Sequence, residues 1–417
     1  MLDLFLKNVK LPEGRVVDIS VSRGLVVHAG AGGRAGKTID CSGLLVLPGG
    51  VDMHVHMRGG SRESRKEDWG TGSRAALAGG VTLVVDQPNT DPPLTTVEAF
   101  RARVKEAERD SLCHFAVNAG AVPGAPLQDL WRSGAMAFGE IFLSPSTGIG
   151  GVSPDGMSGL LGEIHALGVL ATIHAEKILE TRSPDLATHS VSRSPEGEVR
   201  AVEDVKGMAP TGMRLHFCHL STSEAVDATV PYTSEVTPHH LLLSQIDFRL
   251  NDPRGKVNPP LRKAADRARL FASWDRISVL ASDHAPHTSK EKSLDFAAAP
   301  AGVPGVETMI PLLLPKVLSG EITLGPLIAK TSANPCSLLG IPAPGFSPGD
   351  RADFALYPRE VTTVQAENLH SRCGWTPFEG KKAVFPETVI LAGRIVFQSG
   401  DFSRGENRWF PGRGYIP

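Results

Sequence analysis

The sequence predicts an α/β fold, a (β/α)8 barrel over residues 49–341 with a small β domain assembled from residues 1–48 and 342–417. Three observations predict it. Eight short apolar runs recur through the middle of the chain, at 51–57, 81–87, 115–119, 138–143, 169–174, 215–220, 234–237 and 277–282. Helical patterns separate most of them, at 69–78, 96–108, 156–167, 222–229 and 263–274. Both ends of the chain have another texture, short strand-like runs broken by Gly and Pro. Eight strands alternating with helices fit a closed parallel barrel. An open, doubly wound sheet has the same periodicity and stays as the alternative.

At the N-terminal end, 16–19, 24–28 and 44–47 read as strands, with spacers such as Gly30-Ala31-Gly32-Gly33 between them. The opening MLDLFLKNVK is interrupted by Asp3 and Lys7, and no small-residue cleavage site follows, so no targeting element is expected. Within the barrel, Thr96-Val97-Glu98 starts a helix whose apolar face carries Val97, Phe100 and Val104. From about residue 341 the strand texture returns, at 353–357, 388–391 and 394–398. Residues 389–398 read as a hairpin turning at Ala392-Gly393. The two flanks are expected to pair with each other, bringing the termini together.

Composition narrows the function. Of 417 residues, 43 are Lys or Arg and 45 are Asp or Glu, a formal charge of −2. That balance argues against gripping nucleic acid or an anionic membrane through bulk charge. Hydrophobic residues at 41% and charged residues at 21% suit a soluble globular chain. No apolar run reaches the roughly 18 residues of a membrane span, so a cytoplasmic protein is expected. The five cysteines, Cys41, Cys113, Cys218, Cys336 and Cys373, are odd in number and scattered. Neither a disulfide framework nor a cysteine zinc site is expected from them. The 14 histidines cluster instead, so any metal would be held by imidazole and carboxylate.

His54 and His56 lie in the first barrel run, two residues apart, and so point to the same face of a strand. His174 ends the fifth run, His219 the sixth and Asp283 the eighth. A barrel gathers the C-terminal ends of its strands at one rim, where its active site lies. Each residue alone reads as an ordinary satisfied polar group. Together they make one candidate metal site.

The chain resembles the dihydroorotases of the cyclic amidohydrolase group, within the amidohydrolase superfamily. The resemblance rests on PGGVDMHVHMR (48–58), KEDWGTGSRAALAGGVTLVVDQPNTDPPLTT (66–96), ATIHAEK (171–177), TPHHLLL (237–243), KVNPPLR (256–262), SDHAPHT (282–288) and GVPGVET (302–308). It continues through NPCSLLG (334–340), GDRADFALY (349–357) and WTPFEG (375–380), and so covers essentially the whole chain. It implies a metal-dependent TIM-type barrel capped by a β-sandwich from both termini. It also implies two zinc ions, one on His54, His56 and Asp283, the second on His174 and His219. Arg58, Asn89, Asn258 and His287 match the positions that hold substrate, and backbone near Ala301 and Gly302 would touch its ring. The implied reaction is reversible closure of N-carbamoyl-L-aspartate to L-dihydroorotate in pyrimidine biosynthesis, with Asp283 moving the proton. The implied partner is that small molecule, with a homo-oligomer or association with aspartate transcarbamoylase as further possibilities.

Two departures stand out. The loop Arg58-Gly-Gly-Ser-Arg-Glu-Ser-Arg-Lys66 lacks the R-x-P-G of many relatives and is one residue longer. Many relatives also bridge the metals with a carboxylated lysine ending the fourth strand. Here Glu140 stands there, in Gly139-Glu140-Ile141-Phe142-Leu143, followed by Ser146-Thr147-Gly148. Glu140 is expected to ligate or bridge the metals with its own carboxylate; the alternative is one well-bound metal and Glu140 as a barrel polar residue. Alternative activities are those of a hydantoinase or allantoinase, and, from another class, a non-catalytic barrel. Elsewhere, Glu176 is expected to orient His174, and His239 and His240 carry no ligand role. His114, His165, His189 and His370 read as surface or packing residues, and 287–304 as a flap.

Overall fold

The computed structural model describes residues 2–30, 35–144, 151–180 and 182–417, with the backbone alone for Ser61. Ala31-Gly32-Gly33 of the N-terminal spacer and Ser146-Thr147-Gly148 lie outside the described residues. Eight parallel strands form the barrel: β1 (Gly50–Val55), β2 (Val81–Asp86), β3 (His114–Val117), β4 (Phe138–Phe142), β5 (Ala171–His174), β6 (Leu215–Phe217), β7 (Thr233–Val236) and β8 (Val279–Leu280). β1 to β3 make one sheet and β4 to β8 another. Parallel bridges Ala119↔Phe138 and Val55↔His284 join the two sheets on both sides, which closes the barrel and excludes the open sheet.

Local chemistry accounts for the helices between the strands. Trp69–Ala78 begins where Asp68 accepts from the Thr71 amide, and Val97–Asp110 where Thr96 accepts from the Ala99 amide. Pro154–Ala166 and Pro195–Met208 pair a serine cap with a first-turn proline, whose missing N–H would have had no partner there.

Sequence periodicity missed the strands Leu2–Lys10 and Ala35–Asp40. The first has a register shift between Leu6 and Val9, which breaks the alternation that would have betrayed it. They pair in parallel beside Val16–Ser22 and Leu25–Gly30 to make one sheet of a sandwich. The facing sheet orders Asp401–Phe402, Arg394–Gln398, Thr388–Leu391, Phe354–Tyr357 and Leu45–Pro48. Chain from both ends thus meets in one sheet, and Ala392 and Gly393, both at positive φ, turn the expected hairpin.

Three strands of this facing sheet, Leu45–Pro48, Phe354–Tyr357 and Thr388–Leu391, are buried on both sides. Phe354 and Leu356 pack with Leu4, Ile19 and Val46 inside the sandwich, whereas Ala355 and Tyr357 pack with the barrel. Period-two alternation therefore lets one strand serve two cores. The Tyr357 hydroxyl donates to the Gly79 carbonyl at 3.0 Å, ahead of β2. Residues 405–417 leave the sandwich and run along the barrel, where Phe410 and Phe115 pair backbone to backbone. No helix among the described residues is long and apolar enough to cross a membrane.

Asp353 ties the sandwich to the barrel. Its carboxylate accepts from Arg351 Nε at 2.9 Å and from the Ala392 amide at 2.7 Å, with His114 Nε2 at 3.5 Å. Burial pushes its pKa up, but His114, Arg351 and the amide outweigh it and hold the group below the usual carboxylate range. The folded value lies below the unfolded one, near 3.9. The stabilisation is therefore complete above about pH 4 and is lost as pH falls through the folded value. Asp353→Ala leaves Arg351 buried without its carboxylate and is expected to cost about 3–5 kcal/mol at pH 7 and less near pH 3. Denaturant titrations at the two pH values check this; an equal loss at both would contradict it.

Candidate metal centre and active site

The first strand carries the device that aims its histidines. Val51 and Met53 pack in a cluster with Leu83, Val85, Ala116 and Val279, drawn from four strands and so from the barrel interior, whereas Val55 packs with the outer core. The face switches between Met53 and Val55, where the pairing with β2 shifts register between Asp52 and Val55. After that bulge His54 and His56 continue the inward face.

Around them stand residues from the other strand ends. His54 Nε2 lies 3.6 Å from Glu140 Oε2 and 3.6 Å from Asp283 Oδ1, and His56 Nε2 lies 3.1 Å from Asp283 Oδ1. His174 Nδ1 and His219 Nε2 each lie 2.7 Å from Glu140 Oε1. Glu140 thus turns one oxygen to the His174 and His219 pair and the other to His54. Arg58, His219 and Asp283 all adopt positive φ, an uncommon backbone for side-chain-bearing residues. The expected site residues are brought to one end of the barrel. A narrow cavity of about 50 Å³ is lined by His56, Arg58, Asn89, Glu140, His174, His219, Asn258, Asp283, His287, Ala301 and Gly302. Larger clefts, one of about 940 Å³ beside Arg351 and Asp353, lie away from it.

Electrostatics favour a cation. Burial pushes Glu140 up, but hydrogen bonds to His174, His219 and His54 outweigh it and hold it well below the carboxylate range. Asp283 is lowered likewise against its burial, by His56, His54 and His219. In turn burial lowers His174, yet Glu140 and Glu176 raise it to about 9. Raised His54 and His174 supply balancing charge here as protonated imidazoles, a role a metal ion takes over while displacing those protons.

Three groups among the described residues have ligand atoms close enough to share an ion: His54, His56 and Asp283; His54, Glu140 and His219; and His54, Cys218 and Glu235. His174 belongs to none of them and joins the cluster through Glu140. Bonds of about 2.0–2.2 Å to one tetrahedral ion put ligand atoms roughly 3.3–3.6 Å apart, which matches the 3.6 Å from His54 to Asp283 and to Glu140, whereas the 2.7 Å from Glu140 to His174 and His219 is a hydrogen-bond length. His54 Nε2 and His219 Nδ1 are buried and have no hydrogen-bond partner among the described residues. The donor set therefore fits a divalent metal. Cys218 fits less well, because burial and Glu235 push its thiol up and keep it protonated.

Sequence reasoning missed the carboxylate that orients His54. Glu235 Oε1 lies 2.5 Å from His54 Nδ1, and its other oxygen lies 3.2 Å from His216 Nε2. A fully buried acid inside a barrel strand was the available signal. His189, read as a surface or packing residue, is buried with Nε2 3.0 Å from Asn258 Oδ1. Glu176 lies 2.7 Å from His174 Nε2 and also accepts from Arg193. Asn89 Oδ1 lies 2.7 Å from His56 Nδ1. Arg58 Nη2 lies 3.4 Å from His287 Nε2, while Arg58 Nε and His287 Nδ1 have no partner among the described residues. Of the pair given no ligand role, His240 bonds Thr237 and Pro259, and His239 is buried with neither ring nitrogen partnered among the described residues.

A family model described as the amidohydrolase family matches residues 45–396. A dihydroorotase of Methanosarcina acetivorans is 38% identical over 99% of this chain and 95% of its own length. A dihydroorotase of Halobacterium salinarum is 38% identical over 97% of this chain and 98% of its own. Among solved structures, the L-hydantoinase of Arthrobacter aurescens superposes with a TM-score of 0.90 at 27% identity, covering 99% of this chain and all of that one.

Glu235→Gln is expected to weaken divalent-metal affinity by about 10–100-fold while the fold survives, because His54 loses its oriented proton acceptor. Metal titration by calorimetry on the chelated and reloaded protein measures it. Unchanged affinity would remove Glu235 from the centre.

Proposed function

The chain belongs to the amidohydrolase family, and from that membership we propose that it is a dihydroorotase, closing N-carbamoyl-L-aspartate to L-dihydroorotate reversibly with the loss of water. Two zinc ions are the proposed cofactors; His54, His56 and Asp283 would hold one, His174 and His219 the other, and Glu140 would add its carboxylate as a ligand. The observation that carries the choice of substrate is the cavity's pairing of metal-type ligands with Arg58 and His287, whose unpartnered nitrogens suit a substrate carboxylate. A hydantoin or allantoin ring offers no such carboxylate. We place the enzyme in the cytoplasm, working on this small molecule either alone, with its own copies, or beside aspartate transcarbamoylase.

Bound zinc supplies Lewis-acid polarisation of the scissile carbonyl and lowers the pKa of water toward about 7. The chain's own groups do the rest. Arg58 takes the substrate carboxylate through its planar fork. Asn89, Asn258 and His287 add hydrogen bonds, and the backbone at Ala301 and Gly302 borders the ring. Asp283, ionised at neutral pH, takes the proton of the attacking water and delivers it to the ring nitrogen as the C–N bond breaks. In the synthetic direction the same carboxylate runs these transfers in reverse.

Zinc content by mass spectrometry is expected to fall clearly in Glu140→Ala relative to wild type. An unchanged count would leave Glu140 as a polar barrel residue. Asp283→Asn is expected to stay folded and lose about 10²–10⁴-fold in turnover; full activity would refute the proton-transfer role. A parallel assay of wild type on dihydroorotate, hydantoin and allantoin tests the substrate, and preference for either of the last two would overturn it.

A further inference from the structure

Two lysines outside the metal cluster make an arrangement that the reaction as described does not use. Lys292 is 4% exposed, and its ammonium donates to the carbonyls of Pro253, Lys256 and Pro300 at 3.0, 3.2 and 2.9 Å. Half-buried Lys256 donates to the carbonyls of Phe296, Ala297 and Ala299 at 2.7, 3.3 and 2.7 Å. An ammonium has three N–H groups, so both are fully committed to backbone. Nearby carboxylates are engaged elsewhere, Glu291 with Arg65 and Lys66, Asp252 with Arg254. Among the described residues neither lysine has an ion-pair partner, which makes burying them costly.

These carbonyls belong to two stretches, 253–256 and 296–300, and the second leads directly into Ala301 and Gly302 on the cavity wall. The Lys256 carbonyl accepts from Lys292 and also from the Gly302 amide at 3.0 Å. The Ala301 carbonyl lies 3.0 Å from His287 Nε2. Residues 294–302 contain no helix or strand to hold them in place. Gly302, at φ +124, is pressed so close to β8's extension that an added Cβ would lie 2.6 Å from the Ala285 carbonyl. In a cavity of about 50 Å³, a small shift of this wall changes what fits.

We propose that Lys256 and Lys292 are positioning residues that clamp 296–300 onto 253–256 and so seat the Ala301–Gly302 backbone against the substrate ring. The inference rests on the substrate contact proposed above for those two residues. Burial, with Lys256's charge added, lowers Lys292 to about 7, so the clamp persists against an electrostatic cost.

The test uses the full-length, metal-loaded enzyme as wild type, Lys292→Met and Lys292→Arg, with Lys256→Met as a second route should Lys292→Met not fold. Lys292→Met is expected to raise KM for dihydroorotate about tenfold, from the loss of a charge-assisted set of hydrogen bonds. Its kcat should stay within about threefold and its metal content should not change. Lys292→Arg should restore much of the KM. Hydrogen exchange by mass spectrometry should quicken in peptides spanning 294–303. Unchanged exchange in a folded Lys292→Met overturns the clamp. Faster exchange with unchanged KM, or a fall confined to kcat, overturns the positioning role. Failure of the substrate reading is separate: wild type would then not turn over dihydroorotate, and the clamp is judged by exchange and by KM on whichever substrate of the panel it uses.

Discussion

A carboxylate taken out of water must be neutralised where it stands, and this one requirement organises the catalytic end of the barrel. Asp86 is answered by Arg103, and Glu176 by Arg193 and His174. Glu198 sits among Ser221, Thr222 and Arg262. Glu140 and Asp283 instead have imidazoles as their ion-pair partners, His54, His174 and His219 for the first and His54 and His56 for the second. Arginines and hydroxyls thus answer Asp86, Glu176 and Glu198, whereas Glu140 and Asp283 face side chains that can also ligate a metal. That difference separates the residues that build the rim from those proposed to act in it.

Aim is the second requirement, and the backbone meets it by local irregularity. The bulge in β1 carries the inward face from Met53 to His54. Positive φ at Arg58, His219 and Asp283 turns three side chains just beyond their strands. Such conformations persist where surrounding structure over-determines them. Here the closure does so, with the His56 amide donating to the His284 carbonyl at 2.8 Å across the β1–β8 join.

Barrel strands and most metal-type residues were legible in the sequence because both repeat: apolar runs recur, and the histidines fall at the ends of those runs. The strand Leu2–Lys10 was not, because its register shift breaks the period on which the reading depends. Glu235 and His189 escaped for another reason. Their roles lie in contacts across 181 and 69 positions of chain, at which an acid inside a barrel strand hints for Glu235 and nothing local hints for His189. The lysine clamp was hidden in the same way, since a lysine that bonds backbone carbonyls leaves no partner residue type to look for.

Glu140 brings these threads together. Its carboxylate sits on a short two-carbon arm, so the backbone must come close to the imidazoles for its oxygens to reach them. The pairing of β4 with β5 shifts register here: Ala171 faces Phe138, but Ile173 faces Ile141. The extra residue falls at Gly139-Glu140. Gly139, at φ +140, lies so near β5 that an added Cβ would be 2.3 Å from the Thr172 carbonyl. A bulge of this kind re-aims one side chain and moves its backbone. Its glycine permits an approach that any other residue would block. From that backbone position one carboxylate oxygen reaches His174 and His219, and the other lies 3.6 Å from His54.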